Sequence, residues 1–104
     1  MRRLEIFMQG ISAGYLDEMV RGKSYKFTYH AEYSGLPVSL SMPVKTGFFE
    51  FDCFPPFFDG LLPEGILLDA LLSIRKIDRE DMMSQLAAVG EDVVGATTAR
   101  EIPT

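Results

Sequence analysis

Apolar and polar residues alternate from the start of the chain. Leu4, Ile6 and Met8 are interleaved with Glu5, Phe7 and Gln9, which is the period of a strand. Gly10 to Gly14 mark a turn, and AGYLDEMV returns as a second strand; RGKS is the next turn signal. In YKFTYHAEY, Tyr25, Phe27 and Tyr29 share one face and Lys26, Thr28 and His30 the other, as in a half-buried strand. LPVSLSMPV alternates again at Val38, Leu40 and Met42. Its bracketing prolines, Pro37 and Pro43, place a short strand near an edge. FFEFDCF reads as a further short strand or an extended arm.

The period then changes. EGILLDALLSIRK, residues 64–76, carries Leu67, Leu71 and Ile74 on one helical stripe with Leu68 and Leu72 beside it. Arg75 and Lys76 suit the negative end of that helix. A second helix is expected at about 79–89, with Asp78 as N-cap, Met82, Leu86 and Val89 as the apolar face, and Gly90 as the stop. VVGATTAR is strand-like, followed by a polar tail EIPT. Strands, then helices, then a strand predict an α+β fold: a mostly antiparallel sheet of short strands with two main helices packed on it.

At 104 residues the chain is long enough for one domain, 1–104, with its own core. Its 47% hydrophobic and 24% charged residues place it among globular chains. A net charge of −5 disfavours direct nucleic-acid binding. Cys53 is the only cysteine, so neither an internal disulfide nor a thiolate metal cluster is expected. The richest apolar run, GILLDALLSI, is too short for a membrane span, and no signal peptide is recognised, so a cytoplasmic protein is expected.

Catalytic signals are weak. His30 is the sole histidine and falls on the polar side of its strand. Cys53 lies in an aromatic stretch with acidic neighbours, Glu50 and Asp52, which argues against a nucleophilic role. Neither a GxSxG elbow nor a Walker loop occurs. The expectation is a non-enzyme with no cofactor and no metal.

FFDGLLPEG, residues 57–65, is the segment that asks for a partner. Phe54, Pro55 and Pro56 lead in as a stiff extended stretch, Asp59-Gly60 can turn tightly, and Pro63 delays a helix until Glu64 or later. Glu64 then suits the first helical turn. Burying each of the four large apolar side chains is worth about 1.5–3 kcal/mol. Phe57 and Phe58, or at least one of them, are expected to complete the core. Leu61 and Leu62 are adjacent in a turn, so at least one is expected to face a partner. The candidate partner-binding residues are Phe57, Phe58, Asp59, Leu61, Leu62, Pro63, Glu64 and Ile66.

FFDGLLPEG also closely resembles the signature near the end of the N-terminal subdomain of HipA-type serine/threonine kinases, the toxins of bacterial toxin–antitoxin modules. PVSLSMPV is similar to that subdomain's PLSLSLP-type strand, FTYHAEY to its F-x-Y-x-x-x-Y pattern, and GEDVVGATTA to its G-x-D-x-x-GA ending. The motifs cover most of the chain in the family's order. The kinase machinery of a full-length toxin has no counterpart here, so the chain resembles that subdomain as a separate protein, as in the HipS component of HipBST-type modules. That resemblance implies an antitoxin that binds and inhibits a HipT-like kinase, with a HipB-like DNA-binding protein in a ternary complex. It is equally compatible with an accessory subunit that completes the kinase or a scaffold that links it to the repressor.

Overall fold

Five strands hydrogen-bond into one sheet in the order β4-β3-β2-β1-β5, every neighbouring pair antiparallel, in a computed structural model that describes residues 2–91 and 96–102. The strands are β1 (Arg2–Met8), β2 (Ile11–Val20), β3 (Ser24–Tyr29), β4 (Phe48–Phe51) and β5 (Thr97–Ile102). Three helices follow β4: α1 (Pro56–Asp59), α2 (Gly65–Arg75) and α3 (Met82–Val89). This is the α+β architecture that the order of elements predicts, with a third, short helix added.

The core follows from the strand period. Leu4 and Ile6 of β1, Leu16 of β2 and Tyr25, Phe27 and Tyr29 of β3 point to one side and are buried. Phe58 of α1 and Met83 and Leu86 of α3 close over them in a single cluster. Two glycines permit close backbone approach. A Cβ on Gly14 in β2 would lie 2.1 Å from the Thr28 carbonyl oxygen, and one on Gly90 would lie 2.4 Å from that of Ala99.

A part-buried ionic network ties β1 to β2 and to the start of α3. Arg2 donates to Glu18 (2.7 Å), to both oxygens of Asp81 (3.2 and 2.8 Å) and to Ser84 Oγ (2.9 Å). Glu18, only 4% exposed, also accepts from the Gly22 amide and the Tyr25 hydroxyl. Burial pushes the Glu18 carboxyl up, but Arg2, Gly22 and Tyr25 outweigh it and hold it below the usual range. Asp81 is likewise pushed up by burial and held down by Arg2 and Ser84.

Several local expectations need correction. The 37–44 segment is not a strand: only an isolated bridge joins Ser39 and Met42 across a tight turn. Val38 and Met42 are buried, whereas Leu40 at the tip is 94% exposed. The Tyr29 hydroxyl fixes this turn, accepting from the Val38 amide (3.0 Å) and donating to the Met42 carbonyl. The first turn lies at Gln9 and Gly10, both with positive φ, and Gly14 sits inside β2. The N-cap of α3 is Asp81, whose side chain accepts from the Ser84 amide; Asp78 lies one turn too early. Glu101 and Ile102 belong to β5 and not to a polar tail. Part of the GEDVVGATTA motif, residues 92–95, lies outside the described residues.

Candidate interaction surface

The FFDGLLPEG segment begins with a helical turn. Pro56 occupies the first position of α1, where a missing amide costs nothing, and the Asp59 and Gly60 amides donate back to Pro55 and Pro56 (3.0 Å each). Leu61 and Leu62 continue the curl through bonds to Phe58 and Asp59. This coiled start turns Phe58 fully inward, against Phe27 at 5.7 Å and edge-on to Phe57 at 5.3 Å. Phe57 and Leu61 are half-buried against the core, and Leu62 is 9% exposed. The leucine pair is therefore anchored mostly inward. Asp59 and Glu64 are exposed, and Pro63 is half-buried between them.

Pro63 ends this curl, and α2 starts at Gly65, whose φ of +60° redirects the chain. Glu64 is the extended N-cap of α2, one step before the first turn, and its side chain makes no capping bond. Of Leu61, Leu62 and Ile66, only Ile66 is widely exposed, at 86%.

The face of α2 differs from the one its stripe predicts. Leu67 and Ile74, expected to face the core, are 73% and 78% exposed, and no residue of α2 is buried. Leu68, Leu71 and Leu72 take the half-buried side instead. Ile66, Ala70 and Ile74 recur every four residues with Leu67 alongside, so they form one outward apolar stripe. An open cleft of about 430 Å³, lined by Leu62, Pro63, Leu68, Arg79 and Met82 among others, lies between the 56–64 segment, α2 and the start of α3. An exposed Arg79–Asp69 pair (2.6 Å) ties the middle of α2 to the connection that leads into α3. The helix is well formed yet covers little of its own core. Covering its three large outward side chains would be worth on the order of 4–7 kcal/mol before the costs of association.

His30 sits just beyond β3, half-buried and edge-on to Tyr15 at 4.8 Å. Its Nε2 lies 2.8 Å from Ser12 Oγ, and that hydroxyl donates to the Glu5 carboxylate. With its only proton directed at Glu5, the serine must accept from the imidazole. That polarity is opposite to a serine activated by a histidine base. Cys53 is exposed. No helix among the described residues is long and apolar enough to cross a membrane.

The residues missed by sequence reasoning are Leu67 and Ile74 as surface groups, and Leu40 at its clamped tip. Leucine content on every side of α2 concealed the first two. Leu40 had a signal in the flanking serines, which bond to each other across the turn (Oγ to Oγ, 2.9 Å).

Residues 4–100 match the family described as HipA N-terminal domain. An uncharacterised protein of Haemophilus influenzae is 36% identical over 97 residues, spanning 93% of this chain and 90% of its own. Among solved structures, the fold is similar to an N-terminal domain of HipA toxin, with a TM-score of 0.79 and 31% identity, covering all of this chain and 95% of that one.

Proposed function

We propose, since this chain belongs to the HipA N-terminal domain family, that it is the antitoxin of a bacterial toxin–antitoxin module and binds and inhibits a HipT-like serine/threonine kinase. The observation that carries the reading is the outward stripe of α2. Ile66, Leu67 and Ile74 are large, apolar and 73–86% exposed on a regular helix, and packing among the described residues does not account for them. The solved relative is named as one domain of a toxin, and a domain of a larger protein needs a face for the remainder. Here the same face docks in trans.

In this reading the 57–64 segment is the rigid base and α2 the contact. Phe57, Phe58, Leu61 and Leu62 fix the base to the core, Pro63 sets the angle at which α2 departs, and Asp59 and Glu64 lie on the exposed rim. Ile66, Leu67 and Ile74 enter an apolar recess of the kinase and hold its nucleotide or substrate region out of its active arrangement. A HipB-like DNA-binding protein joins the pair in a cytoplasmic ternary complex. No cofactor and no catalysis by this chain are required.

The test is co-expression with a HipT-like kinase, following growth and kinase phosphorylation together. Restored growth with suppressed phosphate transfer is expected. Unchanged or increased transfer would instead identify an accessory subunit. A change seen only when the DNA-binding protein is also present would identify a scaffold.

A further inference from the structure

The two edges of the sheet differ. Beside β5, the Ala99 amide donates to the Gly90 carbonyl at the end of α3 (2.9 Å), and Arg100 and Glu101 put charges on the exposed strand. Such cover and charge protect an edge from further pairing. Among the described residues β4, at the opposite edge, pairs on one side only, with β3, and three of its four residues are phenylalanine.

The direction of its free groups follows from the ladder. The Tyr29 amide donates to the Gly47 carbonyl (2.8 Å), so alternation turns the backbones of Phe49 and Phe51 toward β3 and those of Phe48 and Glu50 outward. Side chains alternate as well. Phe49 and Phe51 point to the core side, where an open groove of about 260 Å³ is lined by Met42, Phe49, Phe51, Pro55, Pro56 and Phe57, with Ser41 and Glu50 at its rim. Glu50 points to the other face and is exposed.

On that face one row of cross-strand neighbours runs Arg3, Asp17, Lys26, Glu50. Its charges alternate plus, minus, plus, minus, and Arg3 and Asp17 are in direct contact at 2.7 Å. Cross-strand neighbours of opposite sign stabilise a sheet. The row stops at Glu50, so the next strand would complete it with a cation.

We propose that β4 is a strand-addition site for an extended segment of a partner polypeptide with the pattern apolar–basic–apolar. The segment bonds to the outward groups of Phe48 and Glu50, sets its Lys or Arg opposite Glu50, and lays the two flanking apolar side chains over the groove. A second copy of β4 does not meet this description. Paired about Glu50 it brings two carboxylates together, and paired about Phe49 it places Phe48 where the cation belongs. Phe57 lines the groove, so the site extends the docking surface described above. The proposal rests on the reading of this chain as a binding module, but its test does not involve α2 or kinase inhibition.

The probes are the peptide acetyl-Thr-Val-Lys-Val-Thr-amide and its counterpart with Glu in place of Lys, titrated into the full chain. Amide chemical shifts and hydrogen exchange are followed at Phe48 and Glu50. The lysine peptide is expected to slow exchange at both amides and to bind about two- to fivefold more tightly than the glutamate peptide. A Glu50→Lys protein, altered at an exposed side chain, should reverse that order. Absence of protection at millimolar peptide, or equal affinity for the two peptides in both proteins, would overturn the proposal. Protection that rises with protein concentration without peptide would also overturn it, in favour of a second copy. Failure here leaves the α2 reading standing, because inhibition of the kinase is measured separately.

Discussion

Replacing Arg2 by methionine removes the cation that joins β1 to β2 and α3. Its guanidinium is the partner of Glu18 at 2.7 Å and of Asp81 at 2.8 Å, with Glu18 4% exposed and the Arg2 side chain 34% exposed. Breaking a fully buried pair by deleting one partner costs about 3–5 kcal/mol. Arg2 is partly solvated, and Glu18 keeps the Gly22 amide (3.1 Å) and Tyr25 hydroxyl (3.3 Å), so the loss here should be about 2–3 kcal/mol. For a domain of this size that lowers Tm by roughly 10–20 °C.

The pH dependence gives a second, sharper readout. Burial raises both carboxyls, but their hydrogen bonds prevail and hold Glu18 and Asp81 below the usual range in the folded state. The folded chain therefore binds fewer protons than the unfolded one. The stabilisation is complete above the unfolded carboxylate pKa values, about 4, and is lost as pH falls through the folded ones. Arg2→Met removes the main opposition to burial at Glu18. The difference in stability between the two proteins should then be largest near pH 7 and shrink below about pH 4. Urea unfolding of both proteins from pH 3 to 7 measures it. A loss under about 0.5 kcal/mol at pH 7, or a difference constant across the range, would refute the assignment of this network as a stabilising tie.

Other substitutions probe separate parts of the account. Gly14→Ala places a Cβ against the backbone of Thr28 and Tyr29, which cannot swing aside, and should cost about 1–3 kcal/mol or more by urea unfolding. Tyr29→Phe frees the Val38 amide and the Met42 carbonyl and should cost about 1–3 kcal/mol, with faster hydrogen exchange at Val38. Phe58→Ala empties a fully buried site and should cost about 3–5 kcal/mol. Ile66→Ala, nine residues on from Phe58's neighbour Phe57, should change stability by no more than about 0.5 kcal/mol.

The fold was legible wherever one period dominated. β3 alternates cleanly, and its Tyr25, Phe27 and Tyr29 are all buried as the pattern requires. Alternation at Val38, Leu40 and Met42 misled because two buried residues flanking a turn leave the same trace as one face of a strand. In α2 the obstacle was excess. Ile66, Leu67, Leu68, Leu71, Leu72 and Ile74 occupy most directions around the helix, so periodicity could not say which side meets the core. Tertiary placement decided that Leu68, Leu71 and Leu72 turn inward. The Arg2, Glu18 and Asp81 network joins residues up to 79 positions apart, beyond the reach of any local pattern. At the site itself, the inward fate of Phe58 was readable from its apolar context, whereas the contrast between Leu62 and Ile66 depended on the φ of Gly65.

The central claim is that the outward face of α2 holds the kinase. Isothermal titration of the purified HipT-like kinase with this protein, and with an Ile66→Asp, Leu67→Asp, Ile74→Asp variant, tests it most directly. Circular dichroism melting first establishes that the variant remains folded, as the exposure of all three side chains predicts. The expected result is tight binding by the natural chain and at least about a hundredfold loss in the variant, the equivalent of three desolvated side chains left charged. A folded variant that binds and inhibits as well as the natural chain would contradict the claim.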